Sequence, residues 1–197
     1  MNENYKMPAM PEGVKEGIVK GMYKLKSSEL KNPKCRAQLF GSGTILNEVV
    51  KAQQILEDYK VSADVWSVTS YKELRRDALD IERWNLLHPS EKPKVPYITK
   101  MLMDEEGVFV ASSDYVKALP DSISKWIPRP LISLGTDGFG RSESRMALRD
   151  FFEVDAKHIV LAALYALLKD GKIKSTVVEK AIKDLGINPD KRNPMNT

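Results

Sequence analysis

Cysteine, histidine and long apolar runs are what this chain of 197 residues has least of. The single cysteine, Cys35, excludes an internal disulfide framework and any cysteine-based zinc cluster. The two histidines, His88 and His158, stand 70 positions apart and share no local metal-ligand spacing. No stretch approaches the ~18 apolar residues of a membrane-spanning helix. The opening MNENYKMPAMPEG lacks the apolar segment of a secretory signal, so a cytoplasmic protein is the expectation. There is no Gly-Lys-Ser/Thr for a P-loop and no Gly-x-Ser-x-Gly elbow for a serine nucleophile. An excess of one charge is missing too: 31 Lys+Arg against 27 Asp+Glu leave +4, with acids and bases interspersed as in KELRRDALDIER (72–83). No basic run with interleaved aromatics appears, so nucleic acid is not an expected partner, and neither is a membrane.

What is present suits a soluble globular unit: 42% hydrophobic and 29% charged residues, in a chain long enough to bury a full core. Residues 1–16 carry Pro8, Pro11 and Gly13 without periodicity and read as an extended lead-in. A helical turn and a short strand are expected in GIVKGMYKL, before a boundary at Asn32-Pro33. From Cys35 the text alternates. Strands are expected in CRAQLF (35–40), ADVWSVT (63–69), GVFVASS (107–113) and LISLG (131–135). Between them, Ile45, Val49, Ala52 and Leu56 recur at helical spacing, with Thr44 or Ser42 as a cap. Further helices are expected over 71–87 behind Ser70, over 97–103, and over DYVKALPDSISKWI (114–127), where Pro120 must sit near a start, a kink or a break. The last third reads as three helices, with Gly171 and Gly186 as C-terminal caps. The alternation predicts a three-layer α/β/α fold, a mostly parallel sheet of about five strands and a helical C-terminal end. The expected organisation is a connector over 1–34, an α/β domain over 35–190 and a tail over 191–197.

Two strand-to-helix junctions could hold a ligand. The first, Gly41-Ser42-Gly43-Thr44, lies before a helix, but Leu46 stands where the dinucleotide fingerprint needs glycine. A structural turn is the preferred reading. The second, TDGFGRSESR (136–145), follows a buried strand, where open α/β sheets build sites. Asp137, Arg141 and Arg145 are the candidates there, as an interdomain or anion-binding loop or as a shaped turn whose arginines pair with local acids. His158, in an apolar helix, reads as packed, Cys35 as a small buried side chain, and His88 as a loop histidine. No nucleophile–base pair stands out, and no metal ligand set is expected.

Taken together, NENYKMPAMPEG (2–13), GSGTILNEVV (41–50), DVWSVTSYKELRRDALDIERWNLLHP (64–89), VPYI (95–98), ASSDY (111–115), LGTDGFGRSESR (134–145) and FFEVDAKHIVLAALYALLKDGKI (151–173) resemble one family in their order. It is the C-terminal region of the homodimeric, thiamine-diphosphate-dependent E1 component of the pyruvate dehydrogenase complex. The resemblance covers nearly the whole chain and implies a transketolase-like C-terminal domain. It implies an enzyme that decarboxylates pyruvate and passes the acetyl group to lipoyl groups of the E2 acyltransferase. Thiamine diphosphate and magnesium would be held by upstream domains of the same chain, so this stretch alone is expected to be inactive and to bind neither.

The resemblance also implies as partners those upstream domains, a second E1 subunit and E2. Family members carry a histidine in the connector string Asn-Glu-Asn-Tyr-His-Gln-Pro, pointing into the active centre. Here Lys6 stands at that position, and Asn4, Tyr5 and Lys6 are the cleft-lining candidates. A lysine is a poor proton shuttle near neutral pH, so the histidine's role does not transfer. The rival readings are a non-catalytic module for dimer contact or E2 docking, and the same domain of a transketolase or another 2-oxo acid dehydrogenase.

Overall fold

Valine, leucine, alanine and aromatic residues fill both alternations of the central strands, the pattern of strands covered on both faces. The computed structural model describes residues 5–196 and bears this out. β2 (Cys35–Gly41) lies at the centre, parallel to β3 (Val61–Val68) on one side and to β4 (Val108–Ser112) on the other. β5 (Leu131–Leu134) continues the parallel set beyond β4. The sheet order is β1-β3-β2-β4-β5, and β1 (Met22–Lys26) pairs antiparallel with β3. One of the five strands therefore comes from the stretch assigned to the connector.

Ala37 and Leu39 of β2, Val61, Ala63 and Val65 of β3, and Val108 and Val110 of β4 face one side of the sheet. There they meet α2 (Leu46–Asp58), α7 (Ala156–Lys169) and α8 (Ser175–Asp184). Phe40, Trp66 and Phe109 face the other, under α3 (Tyr71–Leu87) and α4 (Tyr97–Leu102). Each of these aromatic side chains contributes about 2–3 kcal/mol by burial, and the Phe40 ring meets Trp66 and Phe109 edge-on at 6.4 and 5.9 Å. A buried polar link is closed here: Trp66 Nε1 donates to Gln38 Oε1 at 2.8 Å, and Gln38 Nε2 donates to the Glu106 carbonyl at 2.9 Å. Lys24 blunts the β1 edge, donating to Asp64 at 2.9 Å and Glu105 at 2.7 Å. Burial works against its ammonium, but those two carboxylates outweigh it and raise its pKa.

The helix ends follow the expected signals in most places. Ser70 Oγ accepts from the Glu73 N–H at 3.2 Å, and Gly171 and Gly186 take φ of +68° and +60° just past α7 and α8. At both glycines the next residue's N–H reaches back to a carbonyl, Lys172 to Leu167 at 2.9 Å and Ile187 to Ile182 at 3.0 Å.

Two expectations fail. The helix expected over 114–127 is one turn, α5 (Ala118–Asp121), followed by a 3₁₀ turn at Ser124–Trp126. Pro120 lies in the first turn of α5, where its missing N–H costs no helix bond, so it marks a start and not a mid-helix break. Neither Ser42 nor Thr44 caps α2 with its side chain. A 3₁₀ turn at Gly43–Ile45 leads into the helix instead, and the Ser42 hydroxyl is buried.

Candidate functional site

The parallel strands β2, β4 and β5 all end on one edge of the sheet, and β3 and β4 leave β2 in opposite directions there. That is the switch-point edge at which open α/β sheets place sites. Gly41 closes β2 because a Cβ there would lie 2.8 Å from the Leu46 Cα, so only glycine lets α2 return this close. The neighbouring loops are laced by main-chain bonds. The Ser113 N–H donates to the Leu134 carbonyl at 3.2 Å, and the Thr136 N–H to the Tyr115 carbonyl at 2.9 Å. Thr136 Oγ1 donates to the Asp114 carbonyl at 2.8 Å.

Above these loops lies α6 (Arg145–Phe151), capped by Ser144 Oγ, which accepts from the Ala147 N–H at 3.4 Å. α6 supplies Arg145 and Arg149, and between them and the strand ends is a cavity of about 180 Å³. Tyr5 enters it from the connector, with the Arg145 guanidinium 3.7 Å from its ring centre and that of Arg149 at 5.7 Å.

Of the expected site residues, the structure thus brings Tyr5 and Arg145 together. Asp137 turns to the adjacent loop, where its Oδ1 accepts from the Lys117 N–H at 2.9 Å. Arg141 lies over the Phe151 ring at 5.4 Å. Lys6 is exposed on the connector, and Asn4 falls outside the described residues. The loop itself leaves Phe139 and the α6 start leaves Met146 each 83% exposed.

The residue that organises this edge was not legible as a site. Glu48 on α2 is buried, accepts from Arg149 Nη1 at 2.9 Å and Lys51 Nζ at 2.8 Å, and takes the Ala156 N–H at 3.2 Å. One carboxylate therefore ties α2 to α6 and neutralises the first turn of α7. In sequence it is one acid among many, since Arg149 and Ala156 lie about a hundred positions away. Asp155 completes the α7 start, accepting from the His158 N–H at 3.1 Å and lying 2.6 Å from its Nδ1. His158 is packed, as expected.

Asp150, Asp155 and His158 are the one group of described residues close enough to share a metal ion. Lys157 fills that role with its own charge, in contact with Asp150 and 3.9 Å from Asp155. Its bond holds the Asp150 carboxyl below the ordinary range, and the same bond raises Lys157. An ammonium at the centre and an imidazole ligand do not suit a hard divalent cation carrying a diphosphate.

A sequence profile of the transketolase-like TK C-terminal domain matches residues 21–155. Over 198 residues the chain is 52% identical to the pyruvate dehydrogenase E1 component of Pseudomonas aeruginosa, covering 100% of this chain and 22% of that protein. Over 196 residues it is 52% identical to the E1 component of Escherichia coli, covering 98% of this chain and 22% of that one. The chain thus spans 22% of the length of these curated relatives. Among solved structures, a transketolase from Leishmania mexicana superposes with a TM-score of 0.50 at 19% identity, over 78% of this chain and 19% of that one. That likeness shows the fold alone.

Proposed function

The chain belongs to the family of transketolase-like C-terminal domains, and from that premise we propose that it serves as the C-terminal domain of a pyruvate dehydrogenase E1 component. The observation that carries the reading is the 52% identity to two E1 components along essentially all of this chain. In that role the full enzyme decarboxylates pyruvate with thiamine diphosphate and magnesium and acetylates lipoyl groups of E2, in the cytoplasm and as a homodimer. The described residues do not fit a magnesium–diphosphate centre, so no catalytic step is assigned to this chain. Its part is positioning. The first residues act as a connector whose Tyr5 is clamped by Arg145, and the switch-point edge packs against the other domains. Exposed Phe139 and Met146 support that packing, because apolar side chains so placed are stabilised only when covered.

The test is a chimera in which this chain replaces the matching stretch of the Pseudomonas aeruginosa relative. Pyruvate-dependent activity with thiamine diphosphate and magnesium is expected from the chimera and none from the chain alone. A chimera that assembles, ignores pyruvate and turns over ketose phosphates would overturn the reading in favour of a transketolase.

A further inference from the structure

The opposite edge of the sheet, where the parallel strands begin, carries a feature that the packing role does not use. Two cavities open there side by side. One, about 490 Å³, is bounded by Lys34, Arg36, Arg129 and Lys172, with Cys35, Glu106 and Asp170 between them. The other, about 580 Å³, is walled by Val108, Leu131, Ile132 and Tyr165. Arg129 and Asp170 belong to both and stand 3.6 Å apart as the partition. Both volumes lie within the ~300–1,000 Å³ of small-molecule pockets.

The charge inventory of the polar half is unbalanced. Its two carboxylates are engaged, Glu106 by Arg36 at 3.3 Å and Asp170 by Arg129. Lys34 and Lys172 are exposed and have no carboxylate partner among the described residues. They come from different elements, just before β2 and just after α7, yet they converge. Burial pushes the Cys35 thiol up, and Lys172 and Lys34 both pull it back. The cations that commonly sit at a helix C-terminus explain Lys172, but not Lys34 or Arg129, which other segments bring in. Gly107 forms the floor. With φ +97° and a Cβ position 2.2 Å from the Arg36 carbonyl, only glycine lets the chain pass this close to β2.

We propose that this paired cavity is a binding site for an amphipathic anion, a small molecule with an acyl or aryl tail ended by a carboxylate or phosphate. The head group pairs with Lys34 and Lys172, and the tail passes the Arg129–Asp170 partition to lie against Leu131, Ile132 and Tyr165. The site is remote from the switch-point edge and stands whether or not the chain works in a pyruvate dehydrogenase.

The test uses the chain itself with octanoate as probe, kept below micelle formation and followed by amide chemical shifts. Saturable binding is expected, with shifts at Gly107 and around Leu131–Ile132 and Tyr165. Acetate (head alone) and 1-octanol (tail alone) should each bind at least about tenfold more weakly, because each loses one half of the recognition. Lys34→Gln with Lys172→Gln should weaken octanoate about tenfold and flatten its salt dependence. Both side chains are exposed, so thermal unfolding should not move. No saturable shift, shifts confined to the switch-point edge, octanol binding as tightly as octanoate, or an unaffected double variant would each overturn the proposal. So would cosedimentation with phosphatidylglycerol vesicles without binding of free octanoate, since the anion would then be a membrane surface.

Discussion

The two edges of one sheet handle charge in opposite ways. At the switch-point edge one ion pair lies deep: Glu48 and Arg149 are only 7% and 14% exposed and bonded to each other. The Ser112 hydroxyl there is buried with no formed hydrogen bond, and those of Ser42 and Tyr71 are buried with little but each other to bond. Outward, this edge shows Phe139 and Met146 beside the exposed Arg141 and Glu143. At the opposite edge nothing charged is deep, the ion pairs are half in water, and cations remain over. Burial explains the difference. A desolvated charge needs a bonded partner, whereas a surface lysine has water. The first edge is therefore built to be covered by protein, and the second to meet a mobile anion.

The largest test of that contrast is Glu48→Gln. It leaves the Arg149 guanidinium and the Ala156 N–H with a neutral neighbour in a buried place, and removing one partner of such a pair costs about 3–5 kcal/mol. The expected result is a urea midpoint shifted to that extent at unchanged slope, with Glu48→Gln/Arg149→Met regaining most of it. Octanoate binding at the other edge should be untouched. A loss under about 1 kcal/mol would mean that the deep pair is replaceable by water and the edges are alike.

A smaller effect is expected from Tyr71, whose phenol is fully buried near Ser42. Burial raises its pKa above the ordinary range, and the Ser42 hydroxyl opposes this only in part. In the unfolded chain the phenol ionises near its usual value of about 10, while in the fold it stays protonated. The neutral phenol therefore contributes stability fully below that pH, and the contribution is lost as pH rises toward the folded pKa. Tyr71→Phe should make stability less sensitive to pH above about 10 and gain up to about 1 kcal/mol at neutral pH, because a buried hydroxyl with no good partner is removed. Denaturant melts across the alkaline range check both signs.

How much of this was legible follows from the range over which each signal acts. Strands β2 to β5, the helices between them and the Ser70 cap are local patterns, and they appear where periodicity put them. The helix over 114–127 is cut to one turn with Pro120 near its start. The resemblance pointed to the connector and the strand-end position to the 136–145 loop, and Tyr5 does meet Arg145, although 140 positions separate them. Pairing of β1 with β3 depends on distant partners, as does the role of Glu48. The basic cavity was invisible for the same reason. Lys34, Arg129 and Lys172 form no run in the sequence, and only the parallel order of the strands collects them at one edge.

The smallest effect belongs to that edge and sharpens the contrast most directly. Glu106 is 77% exposed and Arg36 50% exposed, at 3.3 Å, so their pair is screened by water and salt. Glu106→Gln should change unfolding stability by less than about 0.5 kcal/mol, in contrast to Glu48→Gln at the other edge. It nevertheless frees Arg36 and removes one of the two carboxylates of the cavity. Octanoate should then bind more tightly, by about two- to fivefold at low ionic strength, with the gain fading as salt is raised. Stability unmoved and affinity gained is the pattern of charges arranged for a visiting anion. Stability lost with affinity unchanged would show that the pairs at this edge hold the fold, as they do at the other.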